Sequence, residues 1–144
     1  MQHHLILRVL AKFIIPFIVL YALYVQFHGD FGPGGGFQAG VIVGAGMILY
    51  TLIFGLENAA RIAPPGFLRV MAAIGILIYA GTGLAALLLG GNYLDYNQFN
   101  PHHPAHGQEL GIFLVELGVG VGVSATMTLI FFAFSGRGRE EHKR

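Results

Sequence analysis

The chain contains no cysteine, which excludes disulfide bonds, thiolate metal sites and covalent c-type haem attachment. Charge is also scarce. Charged residues make up 10% of the 144 residues and hydrophobic residues 55%, and a soluble domain of this length would need more charge to cover its surface. The net charge is +1, so the sequence offers no case for nucleic acid binding. This composition indicates a protein embedded in a lipid bilayer.

Four long apolar stretches account for most of the chain. A helix needs roughly 20 apolar residues to cross a hydrocarbon core of about 30 Å. We therefore predict an all-α integral membrane protein, in which residues 1–144 form a single domain of four antiparallel transmembrane helices. The predicted helices cover residues 5–27, 37–56, 67–89 and 110–134 approximately.

The cationic residues predict the orientation of these helices. All 8 Lys and Arg residues fall on one side of the implied membrane. The connections 28–36 and 91–108, on the other side, contain neither Lys nor Arg. Because cationic loops are poorly translocated, we predict that both termini are cytoplasmic and that the glycine-rich connection 28–36 lies outside. The cationic residues are Arg8, Lys12, Arg61, Arg69, Arg137, Arg139, Lys143 and Arg144.

The first outer connection and the start of the next helix read His28-Gly-Asp-Phe-Gly-Pro-Gly-Gly-Gly-Phe-Gln-Ala-Gly40. Glycine adopts backbone conformations that other residues resist, so this segment can turn tightly or enter the membrane surface. Phosphate binding is disfavoured, because no Lys-Ser/Thr pair follows and no strand precedes. We interpret the segment as a buried turn that packs against another subunit, and assign this role to Pro33, Gly34, Gly35 and Gly36.

The second outer connection contains Asn100-Pro-His-His-Pro-Ala-His106. His102 or His103 together with His106 could bind zinc or copper, since imidazole is a good ligand for both metals. The prolines and the lack of helical spacing argue against a preformed site. We assign no metal and no cofactor to the chain, and leave open whether this loop binds a metal ion.

Glycines cover one side of the fourth predicted helix. At 100° per residue, Gly107, Gly111, Gly118 and Gly122 form a narrow stripe. The spacing Gly118-x-x-x-Gly122 lets helices approach closely in lipid. A candidate complementary surface on the second helix is formed by Gly40 and Gly44.

The opposite side of the same helix carries Glu109 and Glu116, which are seven residues apart and therefore share a face. If the helix starts near residue 109, Glu116 lies roughly 10 Å below the outer surface. A carboxylate facing lipid at this depth is costly, so Glu116 should face protein or a hydrated cavity. Tyr21 and Thr82 are predicted at similar depth as its hydrogen-bond partners. Glu116 either clamps helices together or holds a cation or proton, and its position alone does not decide between these roles.

Taken together, the glycine loop and the fourth helix resemble the B subunits of Mrp-type (also called Mnh) multisubunit sodium/proton antiporters. The loop resembles their outer-loop signature, H-x(n)-PGGGF-x-x-G. The segment Gly107-Gln-Glu-Leu-Gly-Ile-Phe-Leu-Val-Glu-Leu-Gly-Val119, continued through Thr126-Met-Thr128, is similar to their closing helix. The resemblance spans nearly the whole chain. It implies a small subunit in the inner membrane of a prokaryote, in a complex that moves sodium ions and protons.

The resemblance also implies protein partners, namely the A, C, D, E, F and G subunits of the same complex. One deep carboxylate without an intramembrane lysine cannot exchange ions alone, so we expect a supporting subunit that is not an enzyme. We predict that it assists assembly and that Glu116 and Glu109 line part of the cation path. Two alternatives stay open: a purely structural subunit in which no ion touches Glu116, and an outward-facing metal enzyme that uses the histidines.

Overall fold

A computed structural model describes residues 2–29 and 34–141, with side chains described for residues 5–29 and 34–136. Pro33, one of the predicted packing residues, lies outside the described residues. Within the described part, the α-helices are α1 (Gln2–His28), α2 (Gly36–Phe54), α3 (Leu56–Ile62), α4 (Pro65–Leu88) and α5 (Pro104–Glu141), and a 3-10 helix covers Tyr96–Phe99.

Among the described residues, four helices are long and apolar enough to cross a membrane, which confirms the predicted fold class. Helix α5 begins at Pro104 rather than near residue 110. A proline is well tolerated in the first turn of a helix, where its missing N–H has no intrahelical acceptor, so the segment with His106 joins the helix. The candidate spans are Leu5–His28, Gly36–Phe54, Pro65–Leu88 and Pro104–Gly136.

The long helices lie side by side in the order α1, α2, α5, α4. Helix α2 packs against both α1 and α5, and α4 packs against α5, whereas α1 and α5 barely touch. Successive membrane-spanning helices along the chain, α1, α2, α4 and α5, run antiparallel to one another. The central pair, α2 and α5, run parallel, because Gly36 lies against Glu116 and Gly44 further along lies against Met127.

Helix α5 carries small residues on two opposite faces. A Cβ atom built on Gly75 of α4 would lie 2.7 Å from the carbonyl oxygen of Gly118, and one built on Gly40 of α2 would lie 2.6 Å from that of Gly120. Residues 118 and 120 point about 200° apart around a helix. The stripe of Gly118 and Gly122 therefore packs against α4. This corrects the candidate pairing of that stripe with α2, which contacts the other face.

The connection from α4 to α5 folds over their shared end. Tyr93 covers Gly83 and Tyr96 covers Gly111, and at both glycines a side chain would overlap the ring. Burial raises the pKa of the Tyr96 phenol, and the nearby Tyr79 and Tyr93 raise it further. Tyr96 is therefore neutral at physiological pH. Towards the opposite end of α4 and α5, a small core joins them to α3 through Ala59, Ala63, Leu68, Ala125 and Phe132.

Candidate functional site

The carboxylate of Glu116 lies against the glycine loop. A Cβ atom built on Gly35 would lie 3.0 Å from Glu116 Oε1, and one built on Gly29 would lie 3.2 Å from Oε2. Gly36 approaches the Glu116 backbone more closely than any side chain would permit. The carboxylate therefore sits where the end of α1, the loop and the start of α2 meet.

Glycine is required at Gly35 by the backbone itself. Gly35 precedes α2 with φ 132° and ψ 175°, a conformation that is essentially restricted to glycine. Its carbonyl oxygen accepts a hydrogen bond of 3.0 Å from the Ala39 N–H. The first N–H groups of α2 have no acceptor within the helix, and the helix dipole adds partial positive charge at this end. Negative charge on Glu116 is therefore well placed.

The glycine loop is recessed relative to the end of α4. Gly40 and Gly75 pack against the same turn of α5 and so mark one level. From Gly75, α4 extends about 20 Å further to its end at Leu88. From Gly40, the start of α2 at Gly36 is only about 6 Å away in the same direction. The loop and Glu116 thus lie about 14 Å short of the end of α4. The last turns of α4 expose Leu84, Leu87 and Leu88. A membrane that covers these leucines also covers Glu116.

Glu109 does not share this site. It lies seven residues before Glu116 on α5, about 10 Å further along the helix axis. Its carboxylate is 3.3 Å from Nδ1 of His106, and the two side chains are 69% and 70% exposed. Exposed pairs of this kind contribute little to stability, and this one is an ion pair only when His106 is protonated. The two carboxylates therefore lie at separate positions along one helix.

The predicted partners of Glu116, Tyr21 on α1 and Thr82 on α4, have other contacts in the structure. Tyr21 of α1 is 58% exposed and stacks on Tyr24 with ring centroids 6.2 Å apart. Thr82 is buried on α4 and its hydroxyl donates a 2.7 Å hydrogen bond to the Ile78 carbonyl. Helix α4 packs on the opposite side of α5 from Glu116. Hydrogen bonding between Glu116 and Tyr21 or Thr82 stays a prediction.

The three histidines His102, His103 and His106 lie at or just before the start of α5. Among the described residues, no group of three or more His, Asp or Glu residues is arranged to hold a metal ion. His103 and His106 meet edge to face with ring centroids 5.9 Å apart. His102 is exposed, and His106 already pairs with Glu109.

Gln26 is a buried amide that was not predicted from the sequence as a site residue. This side chain is only 7% exposed, and its Nε2 has no hydrogen-bond partner among the residues that the structure describes. Its Oε1 lies 2.8 Å from the position of a Cβ atom built on Gly120, one turn from Glu116. The available signal was a single amide near the end of an otherwise apolar run.

Four helices that are long and apolar enough to cross a membrane define a multi-pass membrane protein. A family model described as "Domain related to MnhB subunit of Na+/H+ antiporter" matches residues 6–129. The chain belongs to this family, which confirms the resemblance seen in the glycine loop and the fourth helix.

Individual relatives agree with the family assignment. Over 127 residues the chain is 29% identical to a protein of Staphylococcus haemolyticus (strain JCSC1435) and to one of Staphylococcus aureus (strain Newman), both bearing the name antiporter subunit mnhB2. The aligned region covers 82% of this chain and 89% of each relative.

Proposed function

We propose that the chain is a membrane subunit of a multisubunit sodium/proton antiporter, in which Glu116 lines part of the cation path. Family membership supports the subunit role, which makes the chain a transporter component rather than an enzyme. The proposal includes the inner cell membrane as its location and subunits of the A, C, D, E, F and G types as its partners. The observation that carries the ion-path role is the Glu116 carboxylate, packed against the glycine loop at membrane depth.

The chemistry of the site fits exchange of one cation for another. A carboxylate can hold a proton or a sodium ion, and binding of either one opposes binding of the other. The amino end of α2 beside Glu116 favours the carboxylate but repels cations. An ion path requires binding that is strong enough for entry and weak enough for release. Attraction by the carboxylate and repulsion by the amino end of α2 together keep a bound cation exchangeable. Glu109 serves as the exposed station above it.

A structural role for Glu116 is the second candidate. The same contacts that place the carboxylate between Gly29 and Gly35 join α5 to the end of α1 and the start of α2. A carboxyl group in this position can hold three elements together without ever binding an ion. The two candidates differ in what the charge does, so a substitution that keeps the shape and removes the charge separates them.

Glu116→Gln tests the ion-path role, with Glu109→Gln as the matched control on the same helix. Assembly is measured by co-purification of the tagged complex, and exchange by sodium-dependent collapse of a pH gradient in everted vesicles. We expect Glu116→Gln to assemble normally and to lower exchange at least about tenfold, because a neutral amide cannot hold a proton or balance a sodium charge. The effect of Glu109→Gln should be smaller, since water already reaches it.

Two outcomes would contradict the proposal. If assembled Glu116→Gln complex exchanges cations at the unmodified rate with unmodified half-saturating sodium, the ion-path role is wrong. If Glu116→Gln prevents assembly, the carboxylate is needed to hold the helices together, and the structural candidate replaces the proposal.

A further inference from the structure

A lateral groove runs between α1 and α5. Both helices pack on α2 but barely touch each other, so α2 forms the floor and the other two helices form the walls. The groove has a volume of about 230 Å³ and is lined almost entirely by apolar groups. Its most important lining residues are the small Ala22, Ala39, Gly40 and Gly120, the wall residue Leu23 and the amide Gln26.

The groove contains one unsatisfied hydrogen-bond donor. Gln26 is 7% exposed, and its Nε2 has no partner in the part of the chain that the structure describes. An unsatisfied donor within the hydrocarbon region is costly, so this amide needs an acceptor that the described residues do not supply.

Two simple occupants of the groove satisfy its lining less well than a helix with a polar group would. A lipid acyl chain fits the apolar lining but offers no acceptor. Ordered water needs two to four polar partners. Besides Gln26, the groove's lining side chains supply only the Ser124 hydroxyl, which donates a 3.0 Å hydrogen bond to the Val121 carbonyl and can still accept one. A water molecule would therefore find only the minimum of two polar side chains.

We propose that a transmembrane helix of another subunit of the complex docks in this groove and presents a hydrogen-bond acceptor to Gln26. The small residues of the groove let a second backbone approach closely. In lipid such close packing drives helix association, because burial of apolar surface gives no driving force there. Gln26 lies beside Gly120, one turn from Glu116, so the docked helix reaches the neighbourhood of the carboxylate. The docking stands whether or not Glu116 contacts ions.

A photo-crosslinking amino acid placed at Leu23 tests the docking in the purified complex. Leu23 is 49% exposed on the groove wall, and Leu77, 69% exposed on α4 at the far end of the row, is the matched control position. We expect the probe at Leu23 to crosslink one other subunit, within a transmembrane segment that carries Ser, Thr, Asn or Gln. A probe at Leu77 should not crosslink that segment.

Gln26→Leu tests the hydrogen bond, because it keeps the size of the side chain and removes the donor. It should lower the Leu23 crosslinking yield roughly 3-fold to 20-fold, the range for interhelical hydrogen bonds in membranes. Thr126→Val, which also replaces a polar side chain by an apolar one but on an exposed face of α5, should leave the yield unchanged. The amount of the chain in the membrane is measured in parallel, so that loss of folding is recognised.

The Leu23 probe in a chain with unchanged Gln26 tests whether a helix docks in the groove. If an assembled complex crosslinks at Leu23 to lipid alone, to a second copy of this chain or to nothing, no helix of another subunit occupies the groove. If Gln26→Leu leaves the yield unchanged, the proposed hydrogen bond is absent.

Discussion

Replacing Gly35 by alanine tests the contact between the glycine loop and Glu116. With φ 132° and ψ 175°, Gly35 has a conformation that costs any other residue about 1–3 kcal/mol. The added methyl group would also lie 3.0 Å from Glu116 Oε1, so the loop or the carboxylate must move. Together these terms predict a loss of about 2–4 kcal/mol in the stability of the loop in its docked conformation.

The matched control is Gly81→Ala on α4, where a new Cβ atom would meet nothing within 4 Å. The assay measures the yield of assembled complex and its thermal midpoint, taken from the fraction that remains intact on size exclusion after heating. Gly35→Ala should lower both quantities, and Gly81→Ala should keep them or raise the midpoint slightly, since alanine favours a helix. If the two variants assemble and melt alike, the loop does not need glycine at this position and the reasoning is refuted.

The remaining predictions concern helix packing and orientation. Gly75→Ala should reduce the yield of assembled complex more than Gly81→Ala, because its methyl group would lie 2.7 Å from the Gly118 carbonyl oxygen and force α4 away from α5; equal yields would contradict this close packing. Cysteines introduced at Asn97 and Arg61 should be labelled from opposite sides of the membrane by an impermeant reagent, with Asn97 reacting from outside. Equal or reversed labelling would disprove the predicted orientation.

The sequence alone determined the number and type of the membrane-spanning elements. Hydropathy is a local property: each apolar run must form a helix in lipid because its backbone hydrogen bonds have no other partner, and no knowledge of neighbouring helices is needed. The same reasoning assigned Glu116 to a protein-facing side, since its charge is costly in lipid. The glycine loop and the fourth helix carried the resemblance to the family, which the comparisons confirmed.

Only the tertiary structure decided which surfaces meet. The spacing of Gly118 and Gly122 indicates a packing face, but the chain offers many glycines, and Gly75 is their partner because α4 rather than α2 lies on that side of α5. The parallel pairing of α2 with α5 brings Gly35 to the Glu116 carboxylate, a contact between residues 81 positions apart that no local pattern encodes. Gln26 became notable only because its amide is buried without a hydrogen-bond partner among the described residues, and hydrogen-bond satisfaction depends on every neighbouring element at once.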